Sequence, residues 1–134
     1  MRLLDIGCGW GALALHAAFL ACRGIVAGRV PVETRFDSAS LFVWVLGVVF
    51  LAARRPYGLG GMASVFWPVH AAAMLAVWFL VGAGAPPPES SSHFLLILHL
   101  VPVYVGYAGF AVAAVAGATY LLQERLLRRK SATA

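Results

Sequence analysis

From Phe94 to Leu122 the chain carries almost no strongly polar residue, and this run limits its possible folds more than any other feature. It ends in a basic cluster, Arg125, Arg128, Arg129 and Lys130. A bilayer core about 30 Å thick takes roughly 20 apolar residues in a helix, so the run can cross one with some tilt. A water-exposed helix would show a polar face, and this one has none. The rest of the chain agrees: 62% of residues are hydrophobic and 11% charged. That charge share is under half the roughly 25% of soluble domains. Mean hydropathy is +0.88. The expectation is an all-α polytopic membrane protein of about four transmembrane helices in a single transmembrane domain over 1–134. The helices are placed near 6–26, 38–53, 62–82 and 94–122, with a basic cytoplasmic tail over 123–134.

The first apolar run is short for a span and reaches full length only if it starts near Ile6. The opening MRLL shows no cleavage-site pattern of a signal peptide. A charged loop with Gly28 and Pro31 follows, and Ser38 or Ser40 is expected to cap the second helix. That helix stops at Arg54-Arg55-Pro56, ahead of the glycine-rich turn YGLGG. The third run contains Pro68 and His70. A Pro/Ser-rich loop then leads to the fourth. Arg54, Arg55 and the terminal basic cluster mark the cytoplasmic side. Both termini are then cytoplasmic, in a bacterial inner membrane, with His93 and His99 at the outer surface. Arg23, Arg29 and Arg35 fall on the outer side against this rule. Trp10, Trp67 and Trp78 suit interfacial or packing positions.

The net charge of +5 does not mark a nucleic-acid binder. The charges sit at the ends of apolar runs, and no basic stripe is interleaved with exposed aromatics. The lipid bilayer is the partner they indicate. Cys8 and Cys22 are not a CxxC pair and are expected as small buried thiols. LDIGCGWGALALHAA, Leu4 to Ala18, resembles the glycine-rich first motif of S-adenosylmethionine-dependent methyltransferases, with Gly7, Gly9 and Gly11 at its spacing. That motif needs a strand before it and a second strand ending in an acid about 20 residues on, and neither is evident. A helix whose sequence imitates the motif is the simpler reading.

No paired carboxylates, Ser-His-Asp set or P-loop occurs, so catalytic residues are not assigned and the histidines carry the site chemistry. His16 and His70 fall midway along the first and third helices. Each could ligate haem iron through a ring nitrogen, or hydrogen-bond a helical carbonyl. On the fourth helix Gly109, Ala113 and Gly117 recur every fourth residue, with Gly106 nearly in line, and would let another helix approach closely. His99 lies on nearly that face, so its imidazole is expected to look into the bundle. Pro102, one turn on, removes a backbone donor there.

From His99 the sequence resembles a known family. LHLVPVYVGYAGFAVAAVAGATYLLQERLLRRK is similar to the haem-handling cytochrome c assembly proteins, the CcsA/ResC and HemX-like family. The shared elements are His99, Gly106-Tyr107-Ala108, and Tyr120 to Arg125. Earlier, Gly28, Pro31 and Phe36-Asp37-Ser38 agree more loosely. The resemblance implies haem binding and delivery in cytochrome c maturation, with His99 as an axial ligand to haem iron at the outer face. Tyr104 and Tyr107 would offer surface to the porphyrin. The partners implied are haem, other cytochrome c assembly membrane subunits and, indirectly, apocytochrome c. The family's Trp-rich haem loop and second histidine have no match here, so the likeness is to an N-terminal half. A component of this kind positions haem and does no acid–base chemistry of its own. A different class competes, a membrane scaffold in which every histidine is structural.

Overall fold

The computed structural model describes residues 2–28, 30, 32–82 and 93–131, with side chains left out at 2–6, 93 and 129–131. The regular structure among these residues is all helical, without a strand. Four helices are long and apolar enough to cross a membrane. Helix α1 covers Arg2–Ala27 and α2 Arg35–Arg54. The third segment, Leu59–Val81, is composite. It opens with a 3-10 turn, Leu59–Met62, continues as α3, Ala63–Ala76, and ends in a π turn, Val77–Val81. Helix α4 covers His93–Ser131 and passes through Pro102 without interruption.

The helix ends follow local chemistry. Gly28 takes a left-handed φ of 64° just past α1, where a side chain would be strained, and ends the helix. Helix α2 starts ahead of both expected caps. Thr34 Oγ1 accepts from the Asp37 backbone N–H at 3.0 Å and donates to Asp37 Oδ2 at 2.7 Å. This reciprocal arrangement satisfies a free amide and sets a carboxylate at the positive helix end. Ser38 instead donates to the Val32 carbonyl at 2.7 Å. Helix α4 runs past Leu122, taking the expected tail into the helix as far as Ser131. Its 39 residues make a rod of about 58 Å, well beyond a bilayer core.

Helix α2 is the hub. α1, α3 with its π turn, and α4 all pack on it, and the 3-10 turn touches both α2 and α4. In the apolar window of α2, 39% of residues are buried, against 11% in each of the other three segments. One core cluster joins Leu13 of α1, Phe50 and Leu51 of α2, Met62, Ala63 and Phe66 of the third segment, and Val112 of α4. At its centre the Phe50 and Phe66 rings stack 3.7 Å apart. A second cluster, Phe36, Val43 and Val77, lies nearer the start of α2. The remaining surface is strongly apolar, with Leu15, Val26, Phe79, Leu80, Phe94 and Phe110 exposed. Water would penalise so large an apolar area, whereas lipid or further protein would not.

One reading holds here and one expectation is corrected. LDIGCGWG lies inside α1 with no strand before it, so the nucleotide-cradling turn of a methyltransferase is absent. Its glycines serve packing at one position: a Cβ on Gly9 would come within 2.6 Å of the Trp67 ring, while Gly7 and Gly11 face open space. Cys8 and Cys22 are exposed, not buried. They occupy the side of α1 turned away from α2.

Gly47 is a second point of close approach. A Cβ there would lie 2.7 Å from Leu13 Cδ2 and 2.9 Å from His70 Nε2. Gly47→Ala is expected to lower stability in detergent by about 1–3 kcal/mol through overpacking. Gly11→Ala should be neutral or slightly stabilising. Thermal unfolding of the two variants side by side checks this.

Candidate functional site

The histidines divide between two sides of the molecule. His16 reaches α2 from α1, and His70 reaches it from α3. His16 Nε2 shares a 2.9 Å hydrogen bond with Ser40 Oγ, which is fully buried. His70 Nε2 donates to the Val43 carbonyl at 3.0 Å. A third polar pin runs the other way, from Trp44 Nε1 to the Leu13 carbonyl at 2.8 Å. Ser40, Val43, Trp44 and Gly47 recur at helical spacing, so α2 receives both neighbours along one stretch. Aromatic rings hold the His70 imidazole in place: Phe66 at 5.7 Å and Trp67, edge-on, at 5.6 Å between centroids.

Between α1 and α3 lies an open groove of about 590 Å³. His16 and His70 both line it, with Phe19, Met74, Leu75 and Trp78 supplying apolar and aromatic walls. The structure thus brings these two candidates together. It does not bring His99 to them.

His99 is exposed, and its ring has no hydrogen-bond or ring partner among the described residues. The expectation that it looks into the bundle fails for a geometric reason. Helix α4 meets α2 through Tyr104, Ala108, Val112 and Val115, with Ala108 fully buried. Ala108 is nine residues from His99, two and a half turns, which puts the two on opposite sides of the helix. Gly106, Ala113 and Gly117 share the exposed side with His99. The small-residue stripe therefore packs on nothing described.

The tyrosines also separate. Tyr104 turns toward α2, its ring edge-on to Phe42 at 5.6 Å. It lines a second groove, of about 460 Å³, with Trp44, Val48, Ile97 and Val101. Tyr107 is 62% exposed. No group of three or more His, Cys, Asp or Glu side chains converges among the described residues.

One polar cluster was not singled out in the sequence. Arg23 Nε donates to Asp37 Oδ1 at 2.8 Å, and its guanidinium lies 4.9 Å over the Phe36 ring. Asp37 is 4% exposed. The available signal was an arginine at the end of one apolar run and an acid at the start of the next. The pair ties the end of α1 to the start of α2, and Trp78 closes on Phe36 beside it at 5.8 Å.

Comparison with known proteins gives a single lead. No protein-family model matches the chain, and no solved structure matches it. Protein HemX of Brevibacillus brevis is 27% identical over 118 residues, covering 86% of this chain. The chain spans less than half of that relative, 43% of its length.

Removing the arginine should expose the cost of a buried carboxylate. Arg23→Met is expected to destabilise by on the order of 1–3 kcal/mol, because the buried Asp37 side chain loses its partner. Adding Asp37→Asn to that variant should recover part of the loss, which unfolding in detergent would read.

Proposed function

We propose that the chain is a haem-binding membrane subunit that takes part in haem delivery during cytochrome c maturation, with His99 as an axial ligand. One observation carries the reading. Of the three histidines whose rings are described, His99 alone has both nitrogens without a partner among the described residues, on an exposed face of α4. A ligand to haem iron needs a free ring nitrogen. His16 and His70 have committed Nε2, the less hindered nitrogen, to α2. The likeness to Protein HemX over most of the chain supports a haem-related membrane frame.

The residues present fit one side of a haem. His99 would bond the iron, and Val103 and Tyr107, further along α4, would offer apolar and aromatic surface to the macrocycle. Bound haem would supply redox-active iron and, in maturation, vinyl groups for thioether attachment. The chain's own part is to hold and orient it at the outer membrane surface. The opposite side of the haem would fall to another cytochrome c assembly subunit. The positive-inside pattern supports cytoplasmic termini in a bacterial inner membrane. The scaffold reading keeps one observation in its favour: His16 and His70 act as structural pins.

Haem added to the detergent-purified chain is expected to give a Soret band that shifts or disappears in His99→Ala. No band in wild type would favour the scaffold, and an unchanged band in His99→Ala would place the iron on another residue. For topology, a cysteine at Ser91, in a Cys8→Ser/Cys22→Ser background, should react with impermeant maleimide from the outer side. Labelling from the cytoplasmic side alone would reverse the orientation.

A further inference from the structure

The groove between α1 and α3 has a chemistry that α2 imposes on it. His70 Nε2 lies on the Val43 carbonyl. A carbonyl only accepts, so Nε2 carries the hydrogen and Nδ1 of the neutral ring carries the lone pair. That Nδ1 has no hydrogen-bond partner among the described residues and is not enclosed by protein, and the His70 ring lines the groove. His16, anchored on Ser40 through Nε2, lines the same space. Both residues stand midway along their segments, Gly7–Ala27 and Leu59–Val81. In a bilayer that depth is hydrocarbon, where an acyl chain offers no donor and an unmet acceptor is costly.

The occupant must therefore be apolar enough to reach the middle of a membrane and must carry a hydrogen-bond donor. It must also suit a groove of about 590 Å³ walled by Phe19, Met74, Leu75 and Trp78, which lies within the usual range of ligand sites, about 300–1,000 Å³. Phospholipids carry their donors at headgroup depth, at the ends of these helices. We propose that the α1–α3 groove binds a membrane-soluble hydroquinone, one of whose hydroxyls donates to His70 Nδ1. The fused or substituted ring lies against Trp78 and Phe19, and its second oxygen falls to His16. This site is separate from His99 and stands or falls without the haem reading.

The test uses menadiol, held reduced under anaerobic conditions, titrated into the detergent-purified chain with tryptophan fluorescence as the readout. Wild type should bind menadiol about 3- to 10-fold more tightly than menadione, the oxidised form, which has no hydroxyl to donate. His70→Gln keeps an N–H for the Val43 carbonyl but replaces the ring nitrogen with an amide oxygen at a different position, so it should weaken that preference. Ala71→Phe fills the groove from an exposed helical position and leaves both imidazoles in the sequence, and it should weaken binding at least about 10-fold. Far-UV circular dichroism matching wild type establishes that each variant is folded. If His70→Gln does not fold, Ala71→Phe and the menadiol–menadione comparison decide. Equal affinity for both redox forms, or unchanged binding in Ala71→Phe, would overturn the proposal. So would displacement of menadiol by haem with a Soret band that depends on His70, which would make the groove a porphyrin site.

Discussion

The architecture depends on how α2 is held. It is the one helix with a substantial buried surface, and each of the others touches the fold mainly through it. In lipid, apolar side chains gain little by leaving one hydrocarbon for another, so packing and polar contacts between helices set the arrangement. Three contacts serve here: His16 to Ser40, His70 to the Val43 carbonyl, and Trp44 to the Leu13 carbonyl. Each is worth only about 0.6 to 2 kcal/mol in such a setting. Their value lies in register, since a helix turned by one residue would bury unmet donors. Gly47 permits the arrangement by leaving room where Leu13 and His70 converge.

That arrangement divides the histidines by chemistry as well as by position. Pinning uses one nitrogen each of His16 and His70, and on the Val43 carbonyl it fixes what the other nitrogen of His70 can do, turning two structural residues into walls of a groove. His99 is under no such constraint, being turned away from α2 with Gly106, Ala113 and Gly117. An ionisable ring on an outward face near the start of a membrane helix is costly beside lipid alone. A haem and a further subunit on that face would relieve the cost together.

The sequence was informative where a property belongs to one segment. Long apolar runs separated by charged or glycine-rich turns placed all four helices, because length and hydropathy decide them locally. The start of α2 was less legible: Thr34, Ser38 and Ser40 are all competent caps, and Asp37 selects Thr34 by completing the reciprocal pair. The orientation of α4 was not legible. Both of its faces are apolar, one of small and one of bulkier residues, and the small face invited the wrong partner. α2 in fact presents large side chains such as Phe50, which meet Val112 and Val115. LDIGCGWG misleads similarly, since glycines that admit a cofactor and a glycine that admits Trp67 look alike in one dimension. The pairing of His16 with His70 needed the fold, because the two residues are 54 positions apart and meet only by packing on a common helix.

The central claim is the division of labour among the histidines, and nitrogen-15 NMR of the histidine-labelled chain in detergent tests it most directly, with gallium protoporphyrin as a diamagnetic stand-in for haem. The account predicts a His70 signal in the Nε2–H tautomer, unmoved by the porphyrin, and a His99 signal that shifts on its addition. A porphyrin-dependent shift at His16 or His70 with His99 unmoved would contradict it, and would place haem in the groove between α1 and α3.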